Sequence, residues 1–146
     1  MVHGRAYGLA QVRVGRLEHG ADLLQALGEA ARRYGVRVGW CSFLGAVQRA
    51  SLAFYDQHAR AYRPFLLERP LEIACGVGNI SLRDGEPFVH AHAVLSDEEG
   101  RCYAGHLDTG TIVFACEYAL WELAGAEPLV RVPDPVTGLA LWDFPP

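Results

Sequence analysis

Phe88-Val89-His90-Ala91-His92-Ala93-Val94-Leu95, then Ser96-Asp97-Glu98-Glu99-Gly100, then Arg101-Cys102-Tyr103-Ala104-Gly105-His106-Leu107 is the stretch whose reading decides both fold and site. Two strand-like runs flank a polar segment that ends in Gly, the pattern of an antiparallel hairpin. Residues two apart on a strand point to one face. His90 and His92 therefore project together, while Val89, Ala91 and Ala93 take the other side. With residues 96–100 as the loop, Leu95 pairs with Arg101, His106 falls directly opposite His90, and Ala104 falls opposite His92. Cβ atoms opposed in this way are about 4.5–5.5 Å apart, close enough to share one ion. A loop one residue shorter turns His106 to the other face, so register is the hinge of the reading.

Working outward, residues 5–14 alternate loosely and read as a first strand. Residues 20–34 change period: Leu23, Leu24, Leu27, Ala30, Ala31 and Tyr34 recur at three- and four-residue intervals, which predicts an amphipathic helix. Asp22 suits its first turn and Gly35 its C′ position. Strands are expected over 36–47, 50–56, 62–67, 71–82 and 139–142, with a turn at Arg83-Asp84-Gly85-Glu86-Pro87; the long apolar segment 111–123 fits helix or strand, and its Ile112, Val113, Phe114, Tyr118 and Trp121 favour strand. Gly76-Val77-Gly78 resembles the start of a dinucleotide fingerprint but lacks its third Gly and a following helix. These glycines read instead as a bulge or close strand packing. One helix against a largely antiparallel sheet is an α+β architecture, and no linker or repeat divides residues 1–146, so a single domain is expected.

The composition, 51% apolar and 21% charged, is that of an ordinary globular chain. A net charge of −4 argues against a broad nucleic-acid surface, which needs a basic face. All thirteen basic residues are Arg. Arg32, Arg33 and Arg37 fall around the helix end, where they offset its dipole. Arg60, Arg63 and Arg69 are the other loose cluster, and DNA binding would need them on an Arg-lined face formed across subunits. Cys41, Cys75, Cys102 and Cys116 have no CxxC spacing and lie in apolar runs, so small buried thiols are expected. Met1-Val2-His3-Gly4-Arg5 lacks the apolar stretch of a signal peptide, and no window approaches a membrane span. The expected location is cytoplasmic, with thiols reduced.

Three His with an open fourth position form the ligand pattern of catalytic-type zinc, with water as the remaining ligand. Nickel, copper, iron and manganese also accept such a set. Asn79, Asp108 and Glu117 are the polar residues nearest this region in sequence, and each could orient a ligand or a metal-bound water. Asp108 sits in an Asp-Thr-Gly turn, where a structural role is favoured. Glu117 interrupts an apolar strand, so it is expected to be buried and partnered, and it is the one candidate for a general acid or base. His3, His19 and His58 are expected in solvent. A cupin is a distant alternative: the spacing from Gly85 to His90 is one residue short of its first motif, and no acidic ligand is clearly placed.

Gly78-Asn79-Ile80-Ser81, Asp84-Gly85, His90-Ala91-His92, Gly105-His106-Leu107 and Glu117 together resemble the PPC family, the plant and prokaryote conserved domain, in its stand-alone prokaryotic form. Gly20–Leu24, Leu44-Gly45-Ala46-Val47 and Thr137-Gly138-Leu139 support the match, which runs from about Tyr7 to Leu141. Where family members often have two glycines before the third His, this chain has Ala104-Gly105. The resemblance implies a strongly bent antiparallel sheet with one principal helix, a homotrimer, and a His cluster able to hold a metal at His90, His92 and His106. Plant members carry an AT-hook for DNA, and these residues contain none. The expected function is a metal-binding, zinc-favouring trimer of regulatory or ligand-sensing type, open to a small molecule and DNA-associated by resemblance only. The alternative is a metal-dependent enzyme of unknown substrate.

Overall fold

The computed structural model of the chain describes residues 3–144. Met1 and Val2, part of the leading stretch read against a signal peptide, and Pro145-Pro146 lie outside the described residues. The elements are β1 (Gly8–Leu17), α1 (Leu23–Arg33), β2 (Gly39–Asp56), β3 (Ala61–Leu67), β4 (Leu71–Arg83), β5 (Glu86–Ser96), β6 (Cys102–Leu107), β7 (Ile112–Ala124), β8 (Arg131–Pro133) and β9 (Ala140–Trp142). None of the helices among the described residues is long and apolar enough to cross a membrane.

β2 is the spine. The two strands expected over 36–47 and 50–56 are one strand of 18 residues, since Gln48-Arg49 between them carries no turn signal. Its first half is flanked by β4 and β7, its second by β3 and β6. Pairing runs from β2 through β4, β5 and β6 and returns to β2 at Leu52–Leu107 and Ala53–His106, antiparallel throughout. A sheet that meets itself again through one strand has to bend strongly. β2 bends where its register shifts, at Phe43/Gly45 against β4 and at Ala46/Val47 and Val47/Arg49 against β7. Gly45 makes the first shift possible: its φ is +137°, and a Cβ there would stand 2.1 Å from the Ala115 carbonyl oxygen.

The inner face of the bend is the core. α1 lays Leu23, Leu27, Ala30 and Ala31 against Cys41, Phe43, Ile80, Ala91, Ala93 and Leu95. Asp22 is the N-cap rather than a first-turn residue: one carboxylate oxygen accepts from the Gln25 N–H and the other from Gly110 N–H at 2.6 Å. Gly76 and Gly78 are close packing, as one of the two sequence readings had it. The Phe43 ring occupies the space a Cβ at Gly76 would need, 2.1 Å away, and Cys41 Sγ does the same beneath Gly78. Only two of the four cysteines match the expectation of buried thiols. Cys41 and Cys116 are buried, while Cys75 and Cys102 are exposed: alternation turns Cys102 outward, and the register shift between Ile73 and Cys75 turns Cys75 outward although Ile73, two residues before it, is buried. Burial pushes the Cys41 thiol up to about 12 and the Cys116 thiol up to about 11.

The β5–β6 hairpin departs from the expected register by one residue on each strand. Ser96 pairs with Cys102, so the loop is 97–101 rather than 96–100. The cause is Asp97, whose side chain is almost wholly buried. One oxygen accepts from the backbone N–H groups of Glu99 and Arg101, and the other from Arg101 Nε at 2.9 Å and the Tyr103 hydroxyl at 3.0 Å. Both ends of the loop are thus tied to one carboxylate. The parity of the pairing is preserved, so His106 stays on the face of His90 and His92. Its direct partner is His92, not His90, and Ala104 faces Val94.

Gly45→Ala should lower stability by at least about 2 kcal/mol, combining left-handed strain with a backbone clash; urea unfolding with an unchanged m-value reads this, and a wild-type midpoint would contradict the account of the bend. Burial alone would push the Asp97 carboxyl up, but hydrogen bonds from the Arg101 side chain and backbone and from Tyr103 outweigh it and hold it down at about 2, against an ordinary 3.8. Because the folded value is the lower one, its stabilisation is present above about pH 4 and is lost as pH falls towards 2. Thermal melts over that window should fall less steeply in Asp97→Asn than in the wild type.

Candidate metal centre

His90 and His92 leave the outer face of β5, and His106 leaves the same face of β6. One ligand nitrogen from each lies within 4.8 Å of the other two. The ring centroids are 5.2 Å apart for His90–His92, 5.0 Å for His90–His106 and 5.5 Å for His92–His106. Nitrogens around a tetrahedral zinc with Zn–N bonds of about 2.0–2.1 Å sit roughly 3.4 Å apart, so modest ring rotations bring these three together. His90 and His106 are half-buried and His92 is exposed.

The electrostatics keep lone pairs available. Burial, then the charges of Arg131, His106 and His92, push the His90 imidazole down to about 4. Burial also lowers His106, with His92 and Arg131 acting in the same direction and Asp108 opposing them. Both rings are therefore neutral at physiological pH, the form in which imidazole ligates a metal. His106 Nδ1 is buried and has no hydrogen-bond partner. A buried ring nitrogen without a partner, beside two further imidazoles, is a site that a cation completes. The residues fit a transition-metal ion.

The structure separates the polar residues singled out from the sequence. Asn79 is directly opposite His90 on β4, and its side-chain oxygen accepts from Arg131 Nη2 at 2.7 Å. Asp108 is close enough for its charge to oppose, without reversing, the downward shift of His106, while its Oδ1 accepts from the Thr109 N–H in the turn. Glu117 is exposed, not buried, on β7 opposite Arg16 and Leu44. It stands well along the spine from Ala53, the β2 partner of His106, and is not brought to the histidines. His3 and His58 are exposed as expected; His19, also exposed, contacts the Phe114 carbonyl oxygen and Gln48.

Two residues that sequence reasoning passed over do reach the site. Tyr62 of β3 stacks on His106 with centroids 4.6 Å apart. Arg131 of β8 lies across the outer face: Nε donates to Ser81 Oγ at 3.0 Å, Nη1 to the Ala140 carbonyl at 2.8 Å, and Nη2 stands 3.3 Å from His90 Nδ1. Its guanidinium also lies over the rings of Phe88 and Trp142. β8 has three residues and ends in Pro133, too short a run for strand periodicity to register. The Arg60, Arg63 and Arg69 cluster is not a free basic face: Arg63 pairs with Asp56, Arg69 with Asp97, and Arg60 donates to the Pro135 carbonyl.

The sequence profile of the Plants and Prokaryotes Conserved (PCC) domain matches residues 5–124. A metal-containing protein of Archaeoglobus fulgidus has a similar structure, 36% identical, with a TM-score of 0.90 over 97% of this chain and 98% of that one. A plant- and prokaryote-conserved (PPC) protein of Pyrococcus horikoshii is 33% identical, with a TM-score of 0.91 over 100% and 99% of the two chains. A bifunctional protein GlmU of Synechococcus is 34% identical over 84% of this chain, which spans only 19% of that protein. The profile match covers most of the described sheet and its helix, and the chain belongs to the Plants and Prokaryotes Conserved domain family.

Proposed function

We propose that His90, His92 and His106 hold a divalent transition-metal ion, zinc first among them, and that the position left open takes a small ligand in a regulatory or sensing role. The observation that carries this is the convergence of three imidazole nitrogens within 4.8 Å on one exposed face. The donor set is all imidazole nitrogen, which suits zinc and the later first-row metals better than calcium or magnesium. The metal-containing relative from Archaeoglobus fulgidus supports the same reading. The enzyme alternative loses its best residue, since Glu117 is not brought to the histidines. A DNA-binding role gains nothing from arginines already engaged and a net charge of −4.

The same outer face favours self-association. Val14 (79% exposed), Leu44 (58%), Trp40 and Val77 are exposed apolar side chains there. Register places them on the face of the histidines: Trp40 opposes Asn79, which opposes His90, and Val77 opposes His92. A contiguous apolar sheet face of this kind is an association surface by default. Three copies is the number that the family resemblance suggests.

Purified protein should carry close to one metal per chain by elemental analysis, and His92→Ala should lose most of it; full retention in the His90, His92 and His106 triple substitution would end the assignment. Light scattering should return three times the chain mass, falling to the monomer in Val14→Asp/Leu44→Glu. A monomeric wild type would reject the trimer.

A further inference from the structure

Arg131 is half-buried, yet every group it hydrogen-bonds is uncharged, and the Arg83 cation shares the Phe88 ring with it. Its guanidinium has five N–H donors. Four are directed at Ser81 Oγ, the Ala140 carbonyl, Asn79 Oδ1 and His90 Nδ1. The fifth, on Nη1, has no acceptor among the described residues, and no carboxylate lies within ion-pair distance of the group. A partly desolvated cation without a counter-ion is costly unless something else neutralises it. Next to it stand three imidazoles that would add the charge of a divalent ion without adding an anion.

The contact between Arg131 and His90 carries the argument further. A neutral imidazole has one lone pair and one N–H. His90 Nδ1 can accept from Arg131 Nη2 only while that lone pair is free. If His90 ligates a metal through Nδ1, the metal takes the lone pair; if it ligates through Nε2, Nδ1 carries the proton. Either way Arg131 loses this acceptor on metal loading, and a second N–H becomes available beside the first. Asn79 and Ser81 keep the guanidinium in place from β4, and it lies within 5.5 Å of the Phe88 ring centroid and 5.8 Å of that of Trp142. The result is a fixed, positively charged fork with two free donors, next to an ion with an open position.

We propose that Arg131 and the metal together form an oxyanion site, in which one oxygen of a carboxylate or phosphate group sits on the metal and a second accepts from Arg131. This rests on the metal reading above and names the class of ligand that the open position takes. Arg131 lies beyond the residues 5–124 of the family match, so the C-terminal hairpin adds the cationic half of the site to histidines that lie within that match.

Cobalt-loaded protein tests it, because the visible spectrum of the bound ion reports a change of ligand without any activity assay. Inorganic phosphate and acetate, titrated separately, should each perturb the spectrum in a saturable way. Which of the two binds more tightly tells phosphate from carboxylate ligands. Arg131→Gln should keep its cobalt and weaken the preferred anion roughly ten- to a hundredfold, the range for loss of a charge-assisted pair. A second measurement needs no variant: by calorimetry, metal-free wild type should bind the same anion at least roughly tenfold more weakly, since His90 still occupies the donor. Equal affinity in the cobalt-loaded wild type and Arg131→Gln, or equal affinity with and without metal, would overturn the role of Arg131. Full cobalt occupancy with no response to either anion would also overturn it, leaving the metal site standing. A wild type that takes up no cobalt overturns the metal reading itself, and this proposal with it.

Discussion

The buried carboxylate of Asp97 fixes the geometry on which the rest of the site depends. It gathers the Glu99 and Arg101 backbone donors, the Arg101 side chain and the Tyr103 hydroxyl, and thereby sets which residue of β5 faces which of β6. Side-chain direction in a sheet has a period of two, so a slip of one residue would move His106 to the core face. There it would leave a buried, uncoordinated imidazole and strip the outer face of a ligand. One polar group inside a loop thus governs the chemistry some ten residues away in sequence. The closure of β6 onto β2 at Ala53 then holds that register from the far side.

The two faces of the bent sheet divide the labour. The inner face is apolar and packed by α1, with small residues where strands approach closely. The outer face combines imidazoles, an arginine without a carboxylate partner and exposed apolar side chains. Apolar surroundings and a neighbouring cation both disfavour protonated imidazole, which is why His90 is held down at about 4. A proton is therefore a weak competitor for the site at neutral pH. The Arg131 charge that disfavours a proton on His90 is the same charge that would attract an anion to this face.

Much of this was legible in the residues. The alternation of His90-Ala91-His92 placed two imidazoles on one face, and an odd-numbered loop placed the third with them. The helix was readable from its period and from Gly35 beyond its end. Two readings failed for identifiable reasons. Glu117 was expected inside because its neighbours are apolar, but its side of β7 faces outward beside the equally exposed Leu44. Cys102 was misjudged on the same ground, since hydrophobic neighbours in a strand report only that one of two faces is buried, and Cys75 is turned outward by the register shift after Ile73.

The sequence by itself determined the α+β class, the antiparallel hairpin and the identity of the three histidines, because these follow from local periodicity. It could not determine that 36–56 is one bent strand, since the bend is enforced by a backbone contact between Gly45 and Ala115, far apart in the chain. Nor could it set the pairing of His92 with His106, which turns on where a single carboxylate finds its donors. Arg131 is the extreme case. It lies in a three-residue strand with no motif around it and reaches His90 from 41 positions away. Only the folding of the last hairpin across the outer face brings that charge to the three histidines, because long-range packing decides which side chains share a surface.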